Sequence, residues 1–180
     1  TSKYILPAFG AIIVKANDQT DHTILITENC KTTDAWQENL PVIEMDDTHH
    51  LELRLETDSI FWDRILLFSI DSAKTGFDKN DAEKFLNNEV NFYSISRDKK
   101  LLSTDARPIS NESVITLGLQ TKEPGTFRIR VMKAYLASSN KLMLHDRLLN
   151  TWMHLENDSS YSFSTTNDTT SKSNNRFEII

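Results

Sequence analysis

Apolar and polar residues alternate one by one through most of this chain, and a period of two sorts side chains onto the two faces of a pleated sheet. Leu51, Leu53 and Leu55 alternate with Glu52, Arg54 and Glu56. Ile115, Leu117 and Leu119 flank Thr116 and Gly118, and Phe127, Ile129 and Val131 flank Arg128 and Arg130. Tyr161 and Phe163 sit between serines, and Phe177 and Ile179 alternate with Arg176 and Glu178. Each run predicts an antiparallel strand packed on one side and wet on the other.

Further strands are expected over 11–16, 22–27, 65–70, 92–96, 101–104 and 142–145. About ten short strands between polar turns predict two packed sheets, an all-β, antiparallel β-sandwich of jelly-roll-like form. One segment favours helix. Asn80 can cap with Glu83 three residues on, and Ala82, Phe85 and Leu86 then share a face, so a short helix is expected near residues 80–87. A lesser helical stretch, 33–39, stops before Pro41. The polar run 165–175 reads as a long hairpin or loop inside the domain, because strand patterning resumes at Arg176.

The chain of 180 residues, 38% of them hydrophobic, is long enough to bury a core as a single domain over 1–180 without disulfides or a structural metal. A net charge of −6 gives no surplus of cations to neutralise phosphates, which argues against nucleic acid. Cys30 is the sole cysteine, so neither an intramolecular disulfide nor a cysteine zinc cluster can form. It reads as a small buried or half-buried residue rather than a nucleophile. No run approaches the roughly 18 apolar residues of a membrane-spanning helix, so no membrane insertion is expected. The opening Thr-Ser-Lys reads as that of an excised piece or a processed product, and a fragment of a larger multidomain protein is expected.

Catalytic and metal chemistry find little support in the residues. Asp78, Asn80 and Asp81 beside Gly76 suggest a calcium loop, but an EF-hand needs an oxygen donor at its fifth position and glycine at its sixth, where Ala82 and Glu83 stand. Capping and turn hydrogen bonds explain these side chains more simply, so no metal or cofactor is expected. Of the histidines, His22, His49, His50, His145 and His154, the adjacent pair His49-His50 would point to opposite faces of a strand. His145-Asp146 is the right pairing for a base and its orienter, yet no positioned nucleophile such as a Gly-x-Ser-x-Gly elbow accompanies it. Trp36, Trp62 and Trp152, each beside polar residues, are the candidate ligand-binding rings, with Trp36 the best placed for exposure.

The order of residues resembles a family: the β-sandwich region just ahead of the C-terminal sorting domain in secreted and cell-surface Bacteroidetes proteins exported by the type IX system. The likeness runs from LPAFGAIIVKAN at 6–17 through Asp63, the Gly76-Phe77-Asp78 turn and Asp81-Ala82 to Tyr93-Ser94 and Leu101-Leu102. It continues with Pro108, 115–119 with Gly125, Leu144 with Asp146, Tyr161 to Phe163 and Arg176-Phe177. Gly10 and Ile12 depart from its opening strand, and Asp98-Lys99 replaces the usual Asp-Gly at a hairpin.

The resemblance implies a non-catalytic structural or interaction module outside the cell or on its surface. Its expected partners are neighbouring domains of the same polypeptide and extracellular protein or glycan. The alternative is a carbohydrate-binding module that uses exposed aromatic rings. Burial of all three tryptophans would favour the former, and exposed rings the latter.

Overall fold

The computed structural model describes residues 49–58, 60–110, 113–135 and 142–180, together with Thr23. The chain divides into two units, Thr1–Met45 and Asp46–Ile180, and the architecture below is that of the second. The strands expected over 11–16 and 22–27, the helical stretch 33–39, Cys30 and Trp36 lie outside the described residues.

Eleven strands are present among the described residues: β1 (His50–Thr57), β2 (Trp62–Ser69), β3 (Ala82–Glu83), β4 (Val90–Ile95), β5 (Leu101–Arg107), β6 (Ile115–Thr121), β7 (Gly125–Tyr135), β8 (Met143–Asp146), β9 (Thr151–His154), β10 (Ser160–Thr165) and β11 (Phe177–Ile179). They join in one sheet in the order β10-β7-β1-β2-β5-β4-β6-β11-β8-β9, with β3 added to β5. The alternating leucines of β1, the Phe127-Ile129-Val131 set of β7 and the Ile115-Leu117-Leu119 set of β6 are all buried in one core. The all-β reading of the sequence is therefore correct.

Two of its details are not. The sheet is mixed, because β2 and β5 run parallel, pairing Leu66 with Thr104 through Ser69 with Arg107. A parallel pair needs a crossover of a dozen or so residues, and the segment 70–100 supplies it. Nor are there two separate layers of antiparallel strands. The sheet curls nearly into a barrel, and its two ends meet through side chains. Phe163 of β10 packs edge-on against Phe177 of β11, with ring centroids 4.7 Å apart, and the Tyr161 hydroxyl of β10 donates to Asp146 Oδ2 of β8 at 2.9 Å.

The helix expected near 80–87 is also absent. Ala82–Glu83 pairs with β5 instead, and the Lys84 amide continues that contact to the Leu101 carbonyl. Two helical turns are marginal in isolation, so the open edge of β5 wins by offering backbone partners. Phe85 and Leu86, the residues meant for the helix's buried face, are exposed.

Three buried ion pairs lie among the strands, two of them linking separate segments and one lying within β5. Arg176 directs Nε and Nη2 to Asp146 and Nη1 to the carbonyls of Ser164 and Ser171, while its guanidinium lies 4.6 Å from the Phe163 ring centroid and 4.9 Å from that of Phe177. Lys84 Nζ meets Asp63 Oδ2 at 2.5 Å, and the same oxygen accepts from the Phe92 amide at 2.8 Å, so Asp63 bridges β2 and β4 where no ladder joins them. Asp105 and Arg107, two apart on one face of β5, form a two-pronged pair.

Candidate functional site

The antiparallel registers of β4, β6, β11, β8 and β9 carry one row of side chains across the sheet's outer face. Ile95 stands opposite Thr116, Thr116 opposite Glu178, Glu178 opposite His145, and His145 opposite Trp152. Partners in such a row project from the same face. The apolar residues between them, Leu117, Phe177 and Leu144, point into the core. Period-two alternation thus fixes which residues reach this surface.

At the β9 end, Trp152 lies flat on His145, with centroids 3.8 Å apart and planes 7° from parallel. His145 Nδ1 contacts Glu178 Oε1 at 2.9 Å and its Nε2 contacts Asn150 Oδ1 at 3.2 Å, so both ring nitrogens are held. Arg147 Nη1 approaches the other Glu178 oxygen at 3.8 Å. Asn150 has a positive φ of 51°, within the left-handed region that asparagine tolerates better than most residues. β9 ends the sheet order, so no further strand of the described sheet stands beyond Trp152, which is 45% exposed. A ring fixed by stacking and left open at the sheet's edge suits apolar, planar contact with a ligand.

At the other end, Ile95 and Thr116 enter a groove of ≈ 540 Å³. The β4–β5 turn forms one wall with Ser96, Arg97 and Lys99, the end of β5 adds Arg107 and Pro108, and Asn174 and Asn175 close it from the loop before β11. Ser96 is buried and organises the turn: its hydroxyl donates to Asp98 Oδ1 at 2.6 Å and accepts from the Lys100 amide at 2.9 Å. That hydroxyl and the Phe77 amide hold the Asp98 carboxyl below its ordinary pKa. The Arg97 amide donates to the Thr75 carbonyl, tying the turn to the preceding loop.

The tryptophans expected from the sequence part company here. Trp152 heads the row just described. Trp62 begins β2, is 48% exposed, and lies under the Arg54 guanidinium at 4.1 Å. Its hairpin also exposes Ile60 and Phe61.

Asp78, Asn80 and Asp81 form a turn in which the carboxylates serve backbone amides. Asp78 accepts from Asn80 and Lys74, and Asp81 accepts from Asp78 and Ala106. The Asn80 amide lowers the Asp78 pKa, whereas burial raises that of Asp81. No group of three or more His, Cys, Asp or Glu side chains able to hold a metal occurs among the described residues.

His145 and Asp146 do not cooperate: one faces outward and the other inward to Arg176, because neighbours on a strand point oppositely. His50 is buried against Phe68 and Tyr135, with His49 exposed beside it. Sequence reasoning missed the groove. Its one visible signal was the Asp98-Lys99 turn, where Lys99 takes a positive φ of 68°.

The family described as a domain of unknown function, DUF8693, matches residues 4–180. The chain belongs to that family. No curated protein and no solved structure matches it. For this DUF8693 chain, the outer row and its groove therefore carry the functional argument on their own chemistry.

Proposed function

We propose that this DUF8693 chain is a non-catalytic binding module of a secreted or cell-surface bacterial protein, holding an extracellular glycan on the row that ends at Trp152. The observation that carries this reading is the Trp152–His145 stack beside Glu178, Asn150 and Arg147. An open ring offers its apolar face to the C–H groups of a sugar, and carboxylate, amide and guanidinium groups beside it can engage hydroxyls. His145 has both nitrogens engaged, by Glu178 and Asn150, and no hydroxyl nucleophile among the described residues is bonded to it, which favours binding over acyl transfer. The likeness of the residue order to the region ahead of a type IX sorting domain supports the extracellular setting. Affinity electrophoresis through gels containing neutral and acidic polysaccharides tests the reading. Retardation that Trp152→Ala abolishes is the expected result, and unretarded migration in every gel would remove the glycan.

A second reading, a spacer that packs against neighbouring domains, is favoured by the β1–β2 hairpin, where Ile60 is 86% exposed beside Phe61 and Trp62. An apolar tip of this kind suits a protein surface better than a sugar.

A further inference from the structure

The groove opposes the charge of the chain that contains it. The whole molecule carries −6, yet Arg97, Lys99 and Arg107 all line this hollow. Arg107 is neutralised by Asp105. Arg97 and Lys99 have no carboxylate partner among the described residues, whereas the neighbouring Lys100 is paired with Glu83. Asp98, between them in sequence, does not line the groove and turns its Oδ1 to Ser96 and the Phe77 amide.

Lys99 sharpens the point. Its φ is 68°, in the left-handed region where a Cβ is disfavoured and glycine is the ordinary choice. A strained residue whose side chain reaches a groove is a reasonable mark of function. Lys99, Arg97, Asn174 and Asn175 all line the same hollow, and each carries side-chain hydrogen-bond donors. Cations with no internal partner, set in a concave surface, attract an anion most strongly where the walls exclude water.

The register also decides what kind of anion. Thr116 lines the groove, and Glu178 and His145 lead from it in single ladder steps to Trp152 on the same face. Three steps between adjacent strands span about 14 Å. One chain of linked sugars can thus reach both the cations and the ring.

We propose that the groove binds the carboxylate or sulfate group of an acidic polysaccharide whose adjoining sugars lie along the row to Trp152, an inference that rests on the glycan reading above. The test is affinity electrophoresis of the full chain in gels of polygalacturonate, dextran sulfate and neutral dextran, with Arg97→Gln, Lys99→Gly and Trp152→Ala as variants. The polygalacturonate and dextran sulfate arms separate carboxylate from sulfate.

Removing one charged hydrogen bond should weaken retention by acidic polymer about tenfold. The Arg97 and Lys99 variants should show that loss and leave any neutral retention as it was. Lys99→Gly should do so while raising the Tm, so lost folding cannot be the cause. Acidic retention equal in these variants and the wild type overturns the proposal, as does a wild type that no acidic gel retards. Tighter retention of a single-stranded oligonucleotide, with the same Arg97 dependence, overturns the polysaccharide assignment. If Trp152→Ala changes nothing while the cation variants still fail, the groove stands and the row to Trp152 falls.

Discussion

Arg176 and Asp146 show how much one buried pair of side chains can hold together. Both Asp146 oxygens accept from Arg176, while Oδ1 also takes the amides of Leu148 and Leu149 and Oδ2 the Tyr161 hydroxyl. A buried pair stabilises little against an apolar replacement, but breaking it leaves a charge stranded. Asp146→Ala should therefore cost about 3–5 kcal/mol in denaturant titration. A loss no larger than that of an exposed salt bridge would show that water reaches Arg176.

Gly118 is constrained by space rather than by φ. A Cβ there would stand 2.1 Å from Tyr93 Cε2 and 2.7 Å from Asn174 Oδ1. Tyr93 lies over β6 with its hydroxyl on Asn174 at 2.9 Å. Gly118→Ala should destabilise by about 1–3 kcal/mol through overpacking, and by less in a Tyr93→Ala background. Equal costs in the two backgrounds would show that the tyrosine is not the obstacle.

At the scale of elements, the segment after the Asp78 turn decides between helix and strand. Phe85 and Leu86 are exposed beside β3, whereas Lys84 is inserted against Asp63. Changing Phe85 or Leu86 to serine should move stability by no more than about 0.5 kcal/mol, as at an ordinary surface site. Lys84→Met, which strands Asp63, should cost about 3–5 kcal/mol. The reverse ranking in thermal unfolding would restore the helix.

The sequence made the strands legible because alternation is local: among the described residues, the runs with leucine, isoleucine or phenylalanine at every second position, in β1, β6 and β7, are strands facing the core. It hid β3 and β9. Ala82–Glu83 is too short for a pattern, and Thr151–His154 has Trp152 and His154 facing out at an edge where polarity does not alternate cleanly. The parallel β2–β5 pair was hidden as well, since a strand's composition does not record which way its neighbour runs. Of the site, Trp152 could be named from its residue type. Its stacking on His145 could not, because the stack exists only once the register of β8 on β9 is set.

At the scale of the whole Asp46–Ile180 unit, the notable feature is that no backbone ladder among the described residues joins the two ends of the curled sheet. The contact between β10 and the β8–β11 end consists of rings, Arg176 and the Tyr161 hydroxyl, so closure depends on the protonation of side chains. Burial, together with the Asp146 carboxylate that accepts its proton, raises the Tyr161 pKa above the ordinary 10.0. Burial likewise raises that of Tyr93, whose hydroxyl pins Asn174 and with it the loop before β11.

A phenol whose pKa is raised by folding adds stability that is fully present below its unfolded value and is lost as pH rises through the folded one. The Tm should accordingly hold steady from neutral pH to about 9 and fall beyond 10, where the unfolded chain releases protons that the folded one keeps. Tyr161→Phe should lower the Tm at neutral pH, by the loss of a hydrogen bond with a net value of about 1 kcal/mol. It should also make the alkaline decline shallower, because one of the two linked protons is gone. A decline equally steep in the variant would place the alkaline sensitivity outside the seam, and the closure would then rest on the Phe163–Phe177 packing and Arg176 alone.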